Sequence, residues 1–163
     1  MADRQLTTEQ ILALLTEAPP RIAALAAGLT PAQLRATPAP DEWSANEVLA
    51  HLRSCADVWG DAIATILTGD HPRLRAVNPR TWITSTNYPD LAFRTSLRAY
   101  TRQRADLLAR LETLAPADWS RAATVTGAGK PLEQSVHRYA DRLARHERAH
   151  VNQIARLIPL LKD

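Results

Sequence analysis

The chain has 163 residues, of which 45% are hydrophobic and 23% charged, with a net charge of +3. This length supports one domain with a sizeable core, predicted over residues 1–163. The charge is only weakly positive and no basic run is interleaved with aromatics, which argues against nucleic-acid binding. No apolar run approaches the roughly 20 residues of a membrane span. One cysteine and an N-terminus without signal-peptide features predict a cytoplasmic protein.

The first half of the chain has the periodicity of two long helices. Thr7 and Gln10 form a capping-box pattern that opens the first helix, and the Pro19-Pro20 pair inside it predicts a kink or a break. Gly28 ends this helix. A second capping box at Ser44-A-N-Glu47 opens another helix, predicted to run to about residue 67 and to stop at residue 69.

His51 lies on the inward stripe of this second helix, one turn after Glu47 and one turn before Cys55. Residues 70–88 follow as a long loop, longer than the usual 2–8 residues between bundle helices. Long loops often frame a site, so we expect Trp82 and Tyr88 to help enclose a substrate. A third helix is predicted over about residues 89–114.

The last helix is predicted to begin at Pro131 and to carry two histidines on its buried face. His146 and His150, at i and i+4, lie one turn apart, where two imidazoles can share an ion. His51 supplies a third ligand. Three neutral imidazoles with an open fourth position are typical of a catalytic metal site. The predicted buried positions are Leu132, Val136, Tyr139, Leu143, His146, His150, Gln153, Leu157 and Leu161.

Other readings of these motifs are weaker. H-E-R-A-H at 146–150 matches the H-E-x-x-H helix of zinc proteases, but no His or Glu follows as a third ligand. T-G-A-G-K-P lacks the residues of a phosphate-binding loop and is read as a turn. A ferritin-like site needs Glu-x-x-His pairs on two helices, and the sequence does not supply them, since the residues three positions after Glu47 and Glu133 are Ala50 and Val136. A haem with an axial histidine stays possible, although three convergent histidines favour a non-haem ion. We expect His71 in a loop and His137 on another face.

The segments D-E-W-S-A-N-E-V-L-A-H-L and R-H-E-R-A-H-V-N-Q-I together resemble the DinB-like superfamily of small bacterial metalloproteins, over about residues 8–161. The resemblance implies an all-α, four-helix bundle, commonly a homodimer. It also implies that His51, His146 and His150 bind a divalent ion, with Gln153 and Glu47 as supporting residues. Zn, Ni and Fe all suit imidazole ligands.

Characterised relatives in this superfamily include S-transferases that use low-molecular-weight thiols, a thiol-dependent isomerase, and proteins described only as hydrolases. The resemblance therefore implies a metal-dependent enzyme that activates a thiol or a water on a small molecule. The competing hypothesis is a non-catalytic metal-binding or protein-interaction bundle, which a fourth protein ligand such as Cys55, Glu47 or Asp57 would favour.

Overall fold

The computed structural model describes residues 4–161, so the predicted domain of residues 1–163 extends beyond them at both ends. Most of the described chain is helical, and none of its helices is long and apolar enough to cross a membrane. Seven α-helices lie in this part of the chain: α1 Thr8–Ala26, α2 Pro31–Arg35, α3 Ala45–Thr68, α4 Pro79–Trp82, α5 Phe93–Leu111, α6 Pro116–Trp119 and α7 Val136–Leu157.

The four long helices form the predicted bundle. Helix α1 packs against both α5 and α7, and α3 packs against the same two helices. Each long helix has apolar residues at steps of three and four, and burying this stripe in the core stabilises the helix. In α7 the stripe includes Leu143, Val151 and Ile154, all at most 2% exposed. The four-helix bundle is confirmed.

The starts of α1 and α3 follow the predicted caps. The Thr7 hydroxyl accepts from the Gln10 amide, and the Ser44 hydroxyl accepts from the Glu47 amide, each within a reciprocal capping box. Of the two outcomes predicted at the proline pair, a kink or a break, the break is wrong, because the helix continues from Thr8 to Ala26 with both prolines inside it. Pro19 is buried, so its ring contributes to the packed face of the helix.

A small sheet of three strands was not predicted. Strand β1 (Arg73–Arg75) pairs in parallel with β2 (Ala122–Thr126), which pairs antiparallel with β3 (Leu132–Ser135). The predicted start of the last helix at Pro131 is wrong, since residues 132–135 form β3 and Ser135 caps α7. Gly127 and Gly129 have positive φ angles, so T-G-A-G-K is the turn of this hairpin.

The long connection between α3 and α5 is ordered around one carboxylate. It contains β1, α4 and two 3₁₀ turns, Ile83–Ser85 and Tyr88–Asp90. Asp57 on α3 accepts hydrogen bonds from Trp82 Nε1 at 3.0 Å and from the Tyr88 hydroxyl at 2.7 Å. Gln103 Nε2 on α5 donates to the same carboxylate at 2.6 Å. Asp57 therefore holds this connection against the bundle.

Candidate metal centre

Three histidines from two helices converge on one point. His51 lies in the first half of α3, and His146 and His150 lie one turn apart in α7. Nε2 of His146 lies 3.2 Å from Nε2 of His51 and 3.2 Å from Nε2 of His150. The packing of α3 on α7 thus brings together residues that are 95 positions apart in the chain.

These separations fit a shared metal ion. With Zn–N bonds of about 2.0–2.1 Å, two nitrogens on a tetrahedral ion are about 3.3–3.4 Å apart. Nδ1 of His150 lies 2.7 Å from Oε1 of Gln153, an acceptor, so Nδ1 carries the proton and the Nε2 lone pair is free. Gln153 thus fixes the tautomer and the ring orientation of His150, as the polar partners of metal-binding histidines commonly do.

The environment keeps the histidines neutral, as metal binding requires. Burial lowers the pKa of His51 from 6.5 to about 4 and that of His146 to about 3, and the neighbouring histidines add to both effects. Burial also lowers the pKa of His150, although its hydrogen bond to Gln153 opposes this. At neutral pH all three rings therefore present lone pairs instead of competing protons.

Two tryptophans flank the histidines. The Trp43 ring stacks on His150, at 6.2 Å between centroids and 16° between planes, and also lies 5.0 Å from the His51 ring. The Trp59 ring meets His146 edge-on at 5.1 Å. These indoles restrict the imidazole orientations and exclude water from their sides.

Cys55 lies one turn after His51 and is fully buried. Its Sγ is 3.5 Å from Nε2 of His51, and His51, Cys55 and His146 together form a group whose donor atoms lie within 4.8 Å of one another. Burial raises the pKa of the thiol to about 12, and the nearby Glu147 carboxylate adds to this. Without a metal the sulfur is therefore protonated at neutral pH.

Glu147, the acid of the H-E-R-A-H motif, points away from the histidines. It is 0% exposed and forms an ion pair with Arg104 of α5, which is 2% exposed. Burial raises the pKa of Glu147, and the Arg104 guanidinium opposes that rise. A carboxylate tied to Arg104 cannot serve as the base of a zinc-protease mechanism, so the structure agrees with the rejection of that reading.

Two cavities border the site. One of about 490 Å³ is lined by Trp43, His150 and Gln153, among others. The other, of about 230 Å³, is lined by Trp43 and His51. Residues of the long connection do line them, but these are Arg80, Ile83 and Pro89. The expectation for Trp82 and Tyr88 needs correction: their polar atoms bond to Asp57.

The remaining candidates have structural partners. Glu47 Oε2 accepts from the Ser44 amide at 2.8 Å as part of the helix cap. Asp57 holds the long connection, as described above. His71 pairs with the exposed Glu133 at 2.9 Å, and His137 packs against Trp119. Neither of these two histidines joins the cluster.

The sequence analysis missed the buried ion pair of Glu147 with Arg104 and the position of Arg80 in the lining of both cavities. Glu147 was detectable, because it lies four residues from both Leu143 and Val151 and so continues their stripe. His146 and His150 lie beside that stripe and are only partly buried. The sequence carries no comparable signal for Arg80, whose position depends on how the connection folds.

Comparisons with known proteins agree with this architecture. The chain superposes on the solved structure of YfiT from Bacillus subtilis with a TM-score of 0.80 and 17% identity, covering 96% of this chain and 91% of that one. That protein is described as "a probable metal-dependent hydrolase with an unusual four-helix bundle topology". A search of curated proteins found no match. The family model of the DinB superfamily matches residues 14–154. This chain belongs to the DinB superfamily.

Proposed function

We propose that His51, His146 and His150 bind one divalent metal ion, with Zn, Ni and Fe as candidates, and that the protein is a metal-dependent enzyme acting on a small molecule. The observation that carries this proposal is the convergence of three Nε2 atoms, with 3.2 Å spacings at His146, beside open cavities. YfiT, with the same fold, is described as probably metal-dependent, which supports the proposal by analogy.

A bound divalent ion would supply a Lewis acid that ionises a water or a thiol near neutral pH. The protein residues would hold the ion and enclose the site. Three neutral imidazoles hold the ion and leave one position for a small molecule. Gln153 fixes the ring of His150, and the indoles of Trp43 and Trp59 wall the site.

Within the two proposed classes, thiol S-transfer or hydrolysis, the surroundings favour a thiol substrate, such as a low-molecular-weight thiol. Hydrolysis of the zinc-protease type uses a carboxylate base beside the ion, and here Glu147 is bound to Arg104 in the core. A thiol loses its proton on coordination without such a base. Thiol transfer therefore does not need the carboxylate base that hydrolysis of that type requires.

Cys55 favours a second candidate function, a non-catalytic metal-binding or interaction protein. Its Sγ lies 3.5 Å from Nε2 of His51, close to the about 3.6 Å expected for a sulfur and a nitrogen on one tetrahedral zinc ion. If Cys55 filled the fourth position, no site would remain for a substrate. Cobalt spectra of the wild type and Cys55→Ser separate the two candidates, because only a cobalt–thiolate bond gives an intense near-ultraviolet band that the variant loses.

Metal content tests the proposal directly. The protein would be purified without an affinity tag, alongside His146→Ala and a control, His71→Ala, which removes a loop histidine. We expect one ion per chain in the wild type and the control, and none in His146→Ala. If the wild type held no stoichiometric metal even after incubation with Zn or Ni, the metalloenzyme proposal would be wrong.

We further propose a homodimer and a cytoplasmic location. The dimer rests on the family, and the location on the sequence features given above. Sedimentation equilibrium at micromolar concentration checks the first: a mass equal to one chain would contradict it. Fractionation of the native cells checks the second.

A further inference from the structure

Arg80 occupies the border between the two cavities at the histidine cluster. It lies in α4, where the Asn78 side chain accepts a hydrogen bond from the Arg80 amide and fixes the turn. Its guanidinium lies 5.2 Å from the centre of the Trp43 ring, the same ring that packs on His150 and His51. Arg80 lines both the larger cavity beside His150 and the smaller cavity beside His51.

No carboxylate within residues 4–161 forms an ion pair with Arg80, although the chain carries many acids. Arg80 is exposed, and its guanidinium carbon lies over the Trp43 ring at 5.2 Å. Among residues 4–161 no hydrogen bond from its guanidinium is found, so its N–H groups are available to an anion. A planar cation held on an aromatic ring loses little entropy when it forms a bidentate contact with an anion.

The two cavities are lined by charges of both signs. Asp41 and Glu42 line the larger cavity and Glu47, which accepts from the Ser44 amide, lines the smaller one. Arg80 is the cation that lines both cavities, so an anionic group that enters either of them meets its guanidinium.

We propose that Arg80 binds an anionic group of the substrate: a carboxylate, a sulfonate or a phosphate. The inference rests on the proposed function, because it places that group beside a thiol or other donor that reaches the metal. Arg156 and the apolar Leu157 and Leu160 also line the larger cavity. The substrate class is thus a small anionic molecule with room for an apolar portion.

The test uses two thiols on the same two-carbon chain, 2-mercaptoethanesulfonate and the neutral 2-mercaptoethanol. A sulfonate is a poor metal ligand, so the comparison reports the charge. Each thiol would be titrated into the cobalt-loaded protein, with the rise of the sulfur-to-cobalt band giving its Kd. The variants are Arg80→Gln, Arg80→Lys and a control, Arg98→Gln, which removes one exposed positive charge from α5.

In the wild type we expect the sulfonate to bind about fivefold more tightly than the alcohol, the upper end of what one partly screened charge pair contributes. In Arg80→Gln the preference for the sulfonate should fall to about twofold or less, because the charge pair is lost. Cobalt uptake and the Kd of the alcohol should stay unchanged. Arg80→Lys should keep part of the preference, and Arg98→Gln all of it.

The outcomes separate the two proposals. Equal affinities for the two thiols in cobalt-loaded wild type would overturn the role of Arg80 and leave the metal site intact. So would a sulfonate preference that survives Arg80→Gln, or one that Arg98→Gln removes equally. Failure of the wild type to take up cobalt would overturn both proposals together.

Discussion

Replacing Glu147 by Gln tests whether this residue has a structural or a catalytic role. Glu147 and Arg104 are 0% and 2% exposed, so the change leaves the guanidinium charge buried without its counter-charge. Removing one partner of a buried ion pair costs about 3–5 kcal/mol, a large share of the about 5–15 kcal/mol that stabilises a typical domain. At about 2–4 °C per kcal/mol for a chain of this size, Tm should fall by roughly 6–20 °C.

The assay is thermal and urea unfolding followed by circular dichroism, with metal affinity measured in parallel. Because Glu147 faces α5 and the histidines face α3, we expect metal affinity to change by less than about threefold at temperatures where the variant is folded. The double variant Arg104→Met/Glu147→Leu removes both charges and should recover much of the loss. An unchanged Tm in Glu147→Gln, with activity abolished, would refute the reasoning and restore the role of a catalytic base.

Three further predictions follow from the surroundings of the site. In the metal-free protein, stability should fall as pH drops from 6.5 towards 4. The unfolded chain protonates His51 and His146 near 6.5, whereas the folded protein does so only near 4 and near 3. At about 1.4 kcal/mol per pKa unit, the loss by pH 4 is roughly 3–6 kcal/mol, and a flat stability profile would contradict it. Asp57→Ala should cost about 1–3 kcal/mol and speed amide exchange in residues 79–90, with the amides of α7 as the internal control. Cys55, fully buried and with a pKa of about 12, should react with iodoacetamide at pH 8 only at the rate of unfolding, and prompt labelling of the folded protein would show that the thiol is accessible.

The long helices were predictable because their signals are local. The hydroxyl at position 7 or 44 and the Gln or Glu three residues later sit within one turn of each other, so the cap needs no distant partner. The start of α7 was misjudged for a related reason. Pro131 suits a helix start, but Thr124 and Val125 pair with Glu133 and Leu132 across the hairpin, and that pairing keeps residues 132–135 extended.

Burial along α7 was predicted correctly at Val136, Tyr139, Leu143 and Leu157. In the middle of the helix it was predicted one position out of register, since Glu147 and Val151 are buried there and the two histidines only partly. The stripe of apolar residues is wide enough to be centred on His146 and His150 or on Glu147 and Val151, which differ by about 100° around the helix. Packing against α1 and α3 settles the choice: Glu147 enters the core and the histidines lie at its edge. A partly buried position at the edge of the core leaves ligand atoms open to a cavity, as a binding site requires.

The sequence by itself determined the helical bundle, the caps of α1 and α3, and the three histidines proposed as ligands, because periodicity, capping boxes and i, i+4 spacing are local patterns within a helix. Only the tertiary structure decided that Glu147 pairs with Arg104, that Asp57 holds the long connection, and that Arg80 borders the cavities. Each of these depends on contacts between elements far apart in the chain. A side chain's neighbours across a bundle follow from how whole helices pack, which no local pattern encodes.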